Sequence, residues 1–267
     1  MAELVDARDL NSLNHYGCTG SIPVWSTLEQ FFNLKTMKLF AISDTHGALP
    51  QIPDCDVLVI AGDIMPLSLQ RNISGSRWWF ETSFVDWVET LKCEKVIVIA
   101  GNHDFAFELR WESFGVSKIG TNDKKLPDKL VYLEPGESYE YGGKTFYSFP
   151  WTPVLKNWAF YLDHDSLTKE CDKIPKDLDV LISHCPPKVG QAGVVQQSGR
   201  NYKKDFGCEE LADALKTRNV KYCICGHIHS GDKNGQVMDN DVKTKVYNVS
   251  VKDENYITYY DGTMLDI

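Results

Sequence analysis

The chain has 267 residues, 43% apolar, 24% charged and 12% aromatic, a globular profile that excludes collagen-like, coiled-coil and disordered classes. It carries 28 Lys and Arg against 37 Asp and Glu, a net charge of −9, which argues against a protein whose main affinity is for nucleic-acid phosphates. A small phosphate-bearing substrate stays compatible with that charge, because bound cations reverse its sign locally.

Residues 1–36 mix Asn, Ser, Gly and Cys with neither a helical nor a strand period. At Met37 the pattern changes to a strand followed by a polar turn. We therefore read 1–36 as an irregular extension, either a mis-assigned start or a loosely docked segment, and 37–267 as one domain. Five short apolar runs each end in a polar cluster. Lys38–Ser43 leads into Asp44, Thr45, His46 and Gly47, and Val57–Ala61 into Gly62 and Asp63. Val96–Ala100 leads into Gly101, Asn102, His103 and Asp104, and Val180–Ser183 into His184 and Cys185. Tyr222–Cys225 leads into Gly226, His227, Ile228 and His229. The runs are β-branched and non-alternating, as strands covered on both faces are.

Between the second and third runs, Trp79, Phe80, Phe84, Trp87, Val88 and Leu91 share one face of a helix over Ser76–Leu91. Cys208–Arg218 reads as another helix, preceded by Asp205 or Gly207. Strands alternating with helices imply parallel pairing, and in such sheets ligands bind beyond the carboxyl ends of the strands, where every cluster sits. Farther along, Ser138–Tyr141 and Lys144–Phe149 flank Gly142 and Gly143 as a hairpin. Val237–Ser250 and Tyr256–Tyr260 read as further antiparallel strands. The fold class expected is α/β, with two mixed sheets.

No apolar run approaches the ~18 residues that suggest a membrane span. The opening residues contain no stretch like a signal peptide, and the eight cysteines are scattered without a C-x-x-C pair. We expect reduced thiols and a cytoplasmic protein.

Of seven histidines, His46, His103, His184, His227 and His229 fall in the clusters, beside Asp44, Asp63, Asn102 and Asp104. A set of His, Asp and Asn without Cys suits Zn, Fe or Mn, and Asp63 is placed to be a carboxylate shared by two metals. Clusters taken alone have ordinary readings: Gly62-Asp63 as a turn or a helix cap, His184 as a core or turn histidine. All five in this order are specific.

The series D-x-H, G-D, G-N-H-D/E, H and G-H-x-H resembles the signature of the calcineurin-like metallophosphoesterases, over the chain from about Met37 onward. The stretches 148–153, 157–160, 206–211 and 246–250 look like landmarks of the group's small, cyclic-nucleotide-hydrolysing members. After Asp63, Ile64-Met65-Pro66 departs from that pattern. The resemblance implies two mixed β-sheets in a sandwich flanked by helices. It also implies two divalent metal ions, Mn²⁺ with Fe, Zn or Mg as alternatives. Asp44, His46, Asp63 and His229 would hold one metal, and Asp63, Asn102, His184 and His227 the other. Such cations, roughly 3.5–4 Å apart, bridge a hydroxide that attacks phosphorus.

On this reading His103 donates to the leaving oxygen and Asp104 holds its ring. Trp151 and Trp158 wall the substrate pocket or pack between sheet and loop. Arg200, Lys203 and Lys204 form a basic cluster read as a solvated loop. The expected activity is phosphodiester hydrolysis of a small substrate, with a phosphomonoesterase, a nuclease or a non-catalytic scaffold as alternatives. A phosphomonoesterase would want arginines beside the metals, and none follows Asp104 until Arg110. No membrane or nucleic-acid partner is expected, and the oligomeric state stays open.

Overall fold

The computed structural model describes residues 36–108, 126–196 and 203–267. The segment 1–35, Arg110 and Arg200 lie outside the described residues. The apolar runs become the central strands β1 (Lys38–Ile42), β2 (Val57–Ala61) and β3 (Lys95–Ile99), which pair in parallel with β4 (Leu130–Tyr132). A second sheet is built on the hairpin β5 (Ser138–Tyr141) and β6 (Lys144–Phe149), with β7 (Asp177–Ser183) beside it. A two-stranded ribbon, β8 (Val194–Gln196) with β9 (Lys203–Asp205), stands apart. The sheet continues through β10 (Asn219–Cys225), β12 (Lys245–Asn248) and the edge strand β11 (Gln236–Val237). Last comes β13 (Thr263–Asp266), antiparallel to β1 at the edge of the first sheet.

Strand alternation sorts the side chains into layers. Leu39, Ala41, Val57, Val59, Ile97 and Ile99 face Val180, Ile182 and Ile224 across the space between the sheets. Their neighbours Phe40, Ile42, Leu58, Ile60, Val96 and Val98 turn to the outer face of the first sheet. There they pack on α1 (Ile73–Trp79), a π turn (Phe80–Phe84) and α2 (Val85–Thr90). The outer face of the second sheet carries α4 (His164–Asp172) and α5 (Glu209–Leu215), through Leu167, Cys171, Leu211 and Leu215. The short α3 (Phe105–Glu108) follows β3. The result is a sandwich of two mixed sheets flanked by helices.

Several expectations change. The helix over Ser76–Leu91 starts earlier, with Asn72 accepting from the Gly75 N–H at 3.0 Å, and contains the π turn. The buried positions are Ser76, Trp79, Phe80, Phe84, Val85 and Val88. The five-residue steps from Trp79 to Phe84 and from Phe80 to Val85 exceed what 3.6 residues per turn keeps on one face, and the extra residue restores the stripe. Phe80 and Phe84 stack within it at 5.1 Å. The cap of α5 is Cys208, whose sulfur accepts from the Leu211 N–H, rather than Asp205 or Gly207. The second sheet is parallel at its centre (β6, β7, β10, β12) and antiparallel only at its edges. Tyr256–Tyr260 is not a strand: Asp253 Oδ1 takes the N–H groups of Asn255 and Ile257 in a turn, and Tyr256 has left-handed backbone at φ 62°. The strand lies beyond it, at β13.

Past the end of β1, backbone hydrogen bonds join the two sheets in a seam. Ser43, just past β1, donates its N–H to Val249 O and accepts from Val251 N–H, both at 3.0 Å. Asn248 ties this seam to the loop after β10. Its Nδ2 donates to Ala192 O at 2.9 Å and Ile228 O at 2.8 Å, and its Oδ1 accepts from Ser250 N–H and Lys233 Nζ. Asn248 is fully buried. Asn248→Ala takes this partner from Ala192 O, Ser250 N–H and Lys233 Nζ, while Ile228 O keeps the Gly231 N–H, and a loss of about 1–3 kcal/mol for each group left unsatisfied is expected. Urea denaturation at neutral pH checks it; an unchanged midpoint would refute the role.

Candidate metal centre

The clusters converge because the parallel strands β1, β2, β3, β7 and β10 all deliver their carboxyl ends to the same rim. Asp44, His46, Asp63 and His227 all have left-handed backbone, with φ of 56°, 46°, 56° and 65°. That conformation is unfavourable for L-residues and is seen mostly where the surroundings enforce it, often at functional sites. Here a turn directly after each strand swings the side chain back over the strand ends.

Asp63 stands at the centre. Its Oδ2 lies 3.4 Å from His184 Nε2, 3.8 Å from His103 Nε2 and 3.9 Å from His46 Nε2, while Oδ1 accepts from the His103 N–H at 2.8 Å. Asn102 Oδ1 is 3.0 Å from His184 Nε2. Asp44 Oδ1 is 3.6 Å from His229 Nε2, and its carboxylate accepts the His227 N–H. Three histidines are oriented through Nδ1 so that Nε2 turns inward: His184 on Ala61 O at 2.8 Å, His229 on Asp253 O at 2.8 Å, and His103 on Gln70 Oε1. Such outer partners fix the tautomer of ligating histidines.

Electrostatics agree with a ligand set. Burial works to raise both carboxyls, but His229 and His184 hold Asp44, and His184 and His103 hold Asp63, below the usual carboxylate range. Burial pulls His46 down to about 4, so its imidazole is neutral at pH 7. Both of its ring nitrogens are buried without a hydrogen-bond partner. A neutral imidazole with idle nitrogens beside two carboxylates fits a divalent cation, and the hard-to-borderline N and O donors fit it as well. Three sets of side chains bring donor atoms within 4.8 Å of one another: Asp44, His46 and His229; Asp44, Asp63 and His184; His46, Asp63 and His103. His227 falls outside these sets and lies beside His184, ring centroids 5.0 Å apart.

Two expected roles change. Asp104 does not hold the His103 ring. Its buried carboxylate takes the N–H groups of Asp63, Met65 and Gly101 at 2.8, 3.0 and 2.8 Å, bracing the turns after β2 and β3. Burial and the charge of Asp63 push it up to about 7. Trp151 packs on Phe160, centroids 5.8 Å apart, and is not among the residues lining the cavity above the cluster. That cavity, about 210 Å³, is floored by Asp63, Asn102, His103, His227 and His229 and walled by Leu155, Trp158, Glu254 and Tyr256. Trp158 sits 4.4 Å from the His103 ring. Tyr256 lies 5.0 Å from His46 and 5.2 Å from His229. Gln70, Glu254, Leu155 and Tyr256 carry no sequence signal, since each stands alone in an irregular stretch. Lys203 and Lys204 lie on the strand β9 rather than on the expected loop, paired with β8, and only their solvent exposure agrees with that reading.

Comparison with known proteins places these features in context. The family model described as calcineurin-like phosphoesterase matches residues 36–231. Metallophosphoesterase domain-containing protein 1 of Homo sapiens is 30% identical over 248 residues, covering 86% of this chain and 71% of that protein. A UPF0046 protein of Caenorhabditis elegans is 29% identical over 256 residues, and the chain spans 60% of its length and 86% of its own. One solved crystal structure superposes with a TM-score of 0.54 at 18% identity, covering 80% of this chain and 90% of the other, a likeness of fold. No helix among the described residues is long and apolar enough to cross a membrane.

Proposed function

The chain belongs to the calcineurin-like phosphoesterase family and is a metal-dependent phosphoesterase, and from that premise we propose that it hydrolyses phosphodiesters of small molecules, cyclic nucleotides among them. The observation that carries the diester reading is the lining of the cavity. No lysine or arginine stands among the described residues that line it, and Glu254 adds a carboxylate. A monoester dianion there would face an acid with no side-chain cation to match it, whereas a diester carries one charge less. Arg71 stands over the rings of Phe105 and Trp158 and donates to Asn157 O, and it is not part of the lining.

In this proposal Asp44, His46, Asp63 and His229 hold one cation and Asp63, Asn102, His184 and His227 the other, with Mn²⁺ as the expected metal. A bound pair of divalent cations supplies Lewis acidity toward phosphoryl oxygens and makes water nucleophilic at neutral pH. The chain's own contribution is positioning and a proton. Gln70 Oε1 accepts from His103 Nδ1, so the neutral ring has no proton on Nε2; it is the doubly protonated imidazolium, made more acidic by burial, whose Nε2 faces the cavity and gives its proton to the departing oxygen. Trp158 covers one side of that ring and keeps water from it. Residues 37–267 act as a single domain, with no role assigned to 1–36. The free, buried cysteines of the described residues support a reducing compartment, the cytoplasm.

The test is hydrolysis of bis(p-nitrophenyl) phosphate beside p-nitrophenyl phosphate, using metal-stripped protein titrated with Mn²⁺. Diester turnover that requires metal is expected, with 2′,3′- and 3′,5′-cyclic nucleotides tested next; turnover of the monoester alone overturns the reading. His103→Ala is expected to lose on the order of 10²–10⁴-fold in kcat with both metals retained by elemental analysis. Gln70→Leu is expected to lose roughly tenfold. Full activity in metal-loaded His103→Ala would remove the proton-donor role.

A further inference from the structure

A second cavity, about 360 Å³, adjoins the first, and Leu155 and His227 line both. Its acids are engaged with partners: Glu209 with Lys188, Glu210 with His164 Nδ1 at 2.6 Å, and Asp205 with the Gly207 N–H at 2.8 Å. What remains open to a ligand is mostly apolar, beside the ammonium of Lys204. Val154 is 85% exposed and Phe206 is 38% exposed, and both belong to this wall. Lys204 Nζ sits 4.7 Å from the centroid of the Phe206 ring. Val154 has a left-handed backbone, φ 69°. For a β-branched side chain this is a strained conformation, retained where the surroundings enforce it. Here it sets an apolar side chain on the rim, directly before the residue common to both cavities.

We propose that this second cavity receives the organic arm of the substrate ester, an aromatic ring or an apolar group of ring size, while the phosphoryl group lies among the histidines. The inference rests on the phosphoesterase reading above. The volume is ample, since a cavity of about 150 Å³ accepts a benzene ring. Leu155 and His227 line both spaces, so a ligand that extends past them from the first reaches the second. Burying a ring against Val154, Leu155 and Phe206 strengthens binding about 10- to 100-fold over a methyl group in the same place.

Methyl(phenyl)phosphinate and dimethylphosphinate, which carry the single charge of a diester, test this by calorimetric titration into the Mn²⁺-loaded protein, because their P–C bonds are not hydrolysed and only binding is read. The phenyl compound is expected to bind about 10- to 100-fold more tightly. In Phe206→Ser that ratio falls to about threefold or less. Val154→Gly, which removes the strain along with the side chain, is the second variant and is expected to lose most of the ratio too. Equal affinities in the unsubstituted protein, or a ratio preserved in both variants, would overturn the subsite. If neither phosphinate binds while the metals are present, the phosphodiesterase reading fails and takes the subsite with it.

Discussion

Asp63→Ala is expected to abolish hydrolysis of bis(p-nitrophenyl) phosphate and to lower the metal content of the purified protein. The carboxylate is the point where both proposed metal positions meet: Oδ2 lies 3.4–3.9 Å from the Nε2 atoms of three histidines, and Oδ1 takes the His103 N–H. Removing it deprives both positions of a negative charge and of the carboxylate that lies 3.4 Å from His184 Nε2. A metal contributes several kcal/mol of transition-state stabilisation, so the loss is on the order of 10³-fold or more. Elemental analysis and the diester assay read the two consequences separately. A variant that keeps two metals and wild-type turnover would rule out a bridging role for Asp63.

Gly226→Ala is the second large effect. A Cβ there would collide with Ser43 Oγ and Asp44 Oδ2 and lie 2.5 Å from Ser43 Cβ. This glycine therefore stands where the seam between the sheets and the first acid of the centre touch. Overpacking at this point is expected to cost about 1–3 kcal/mol of stability. Displacing Asp44 is expected to lower activity on the order of 10²-fold. The double variant Ser43→Gly with Gly226→Ala removes two of the three colliding atoms and should recover part of the lost melting temperature, which identifies the cause as steric. No recovery would point to a different origin.

The strands and the clusters at their ends were legible because both obey local rules. A strand buried on both faces shows itself as a β-branched run, and a metal centre at the ends of parallel strands shows itself as His, Asp and Asn placed just after those runs. What was not legible depends on long-range geometry. Gln70 reaches His103 from an irregular stretch, and no rule of spacing links them. Asp104 follows His103 directly, which suggests a partnership, yet adjacent residues at a turn point apart, and its carboxylate is spent on backbone N–H groups. Trp151 and Trp158 read alike, but only Trp158 reaches the cavity, the difference being the course of the loop between them. Tyr256–Tyr260 has the composition of a strand, and one turn at Asp253 overrides it. The parallel centre of the second sheet was hidden because the Gly142-Gly143 hairpin announces only its edge.

The pairing of β1 with β13 carries a consequence for the birth of the protein. These strands come from opposite ends of the described chain, yet Lys38–Ala41 and Thr263–Asp266 lie side by side. At a synthesis rate of about 5–20 residues per second, β1 waits on the order of ten seconds or more for the strand that closes its edge. Until then Leu39 and Phe40 present an open, apolar ladder of the kind that recruits other chains. Vulnerability to aggregation is thus concentrated in the nascent chain rather than in the finished molecule.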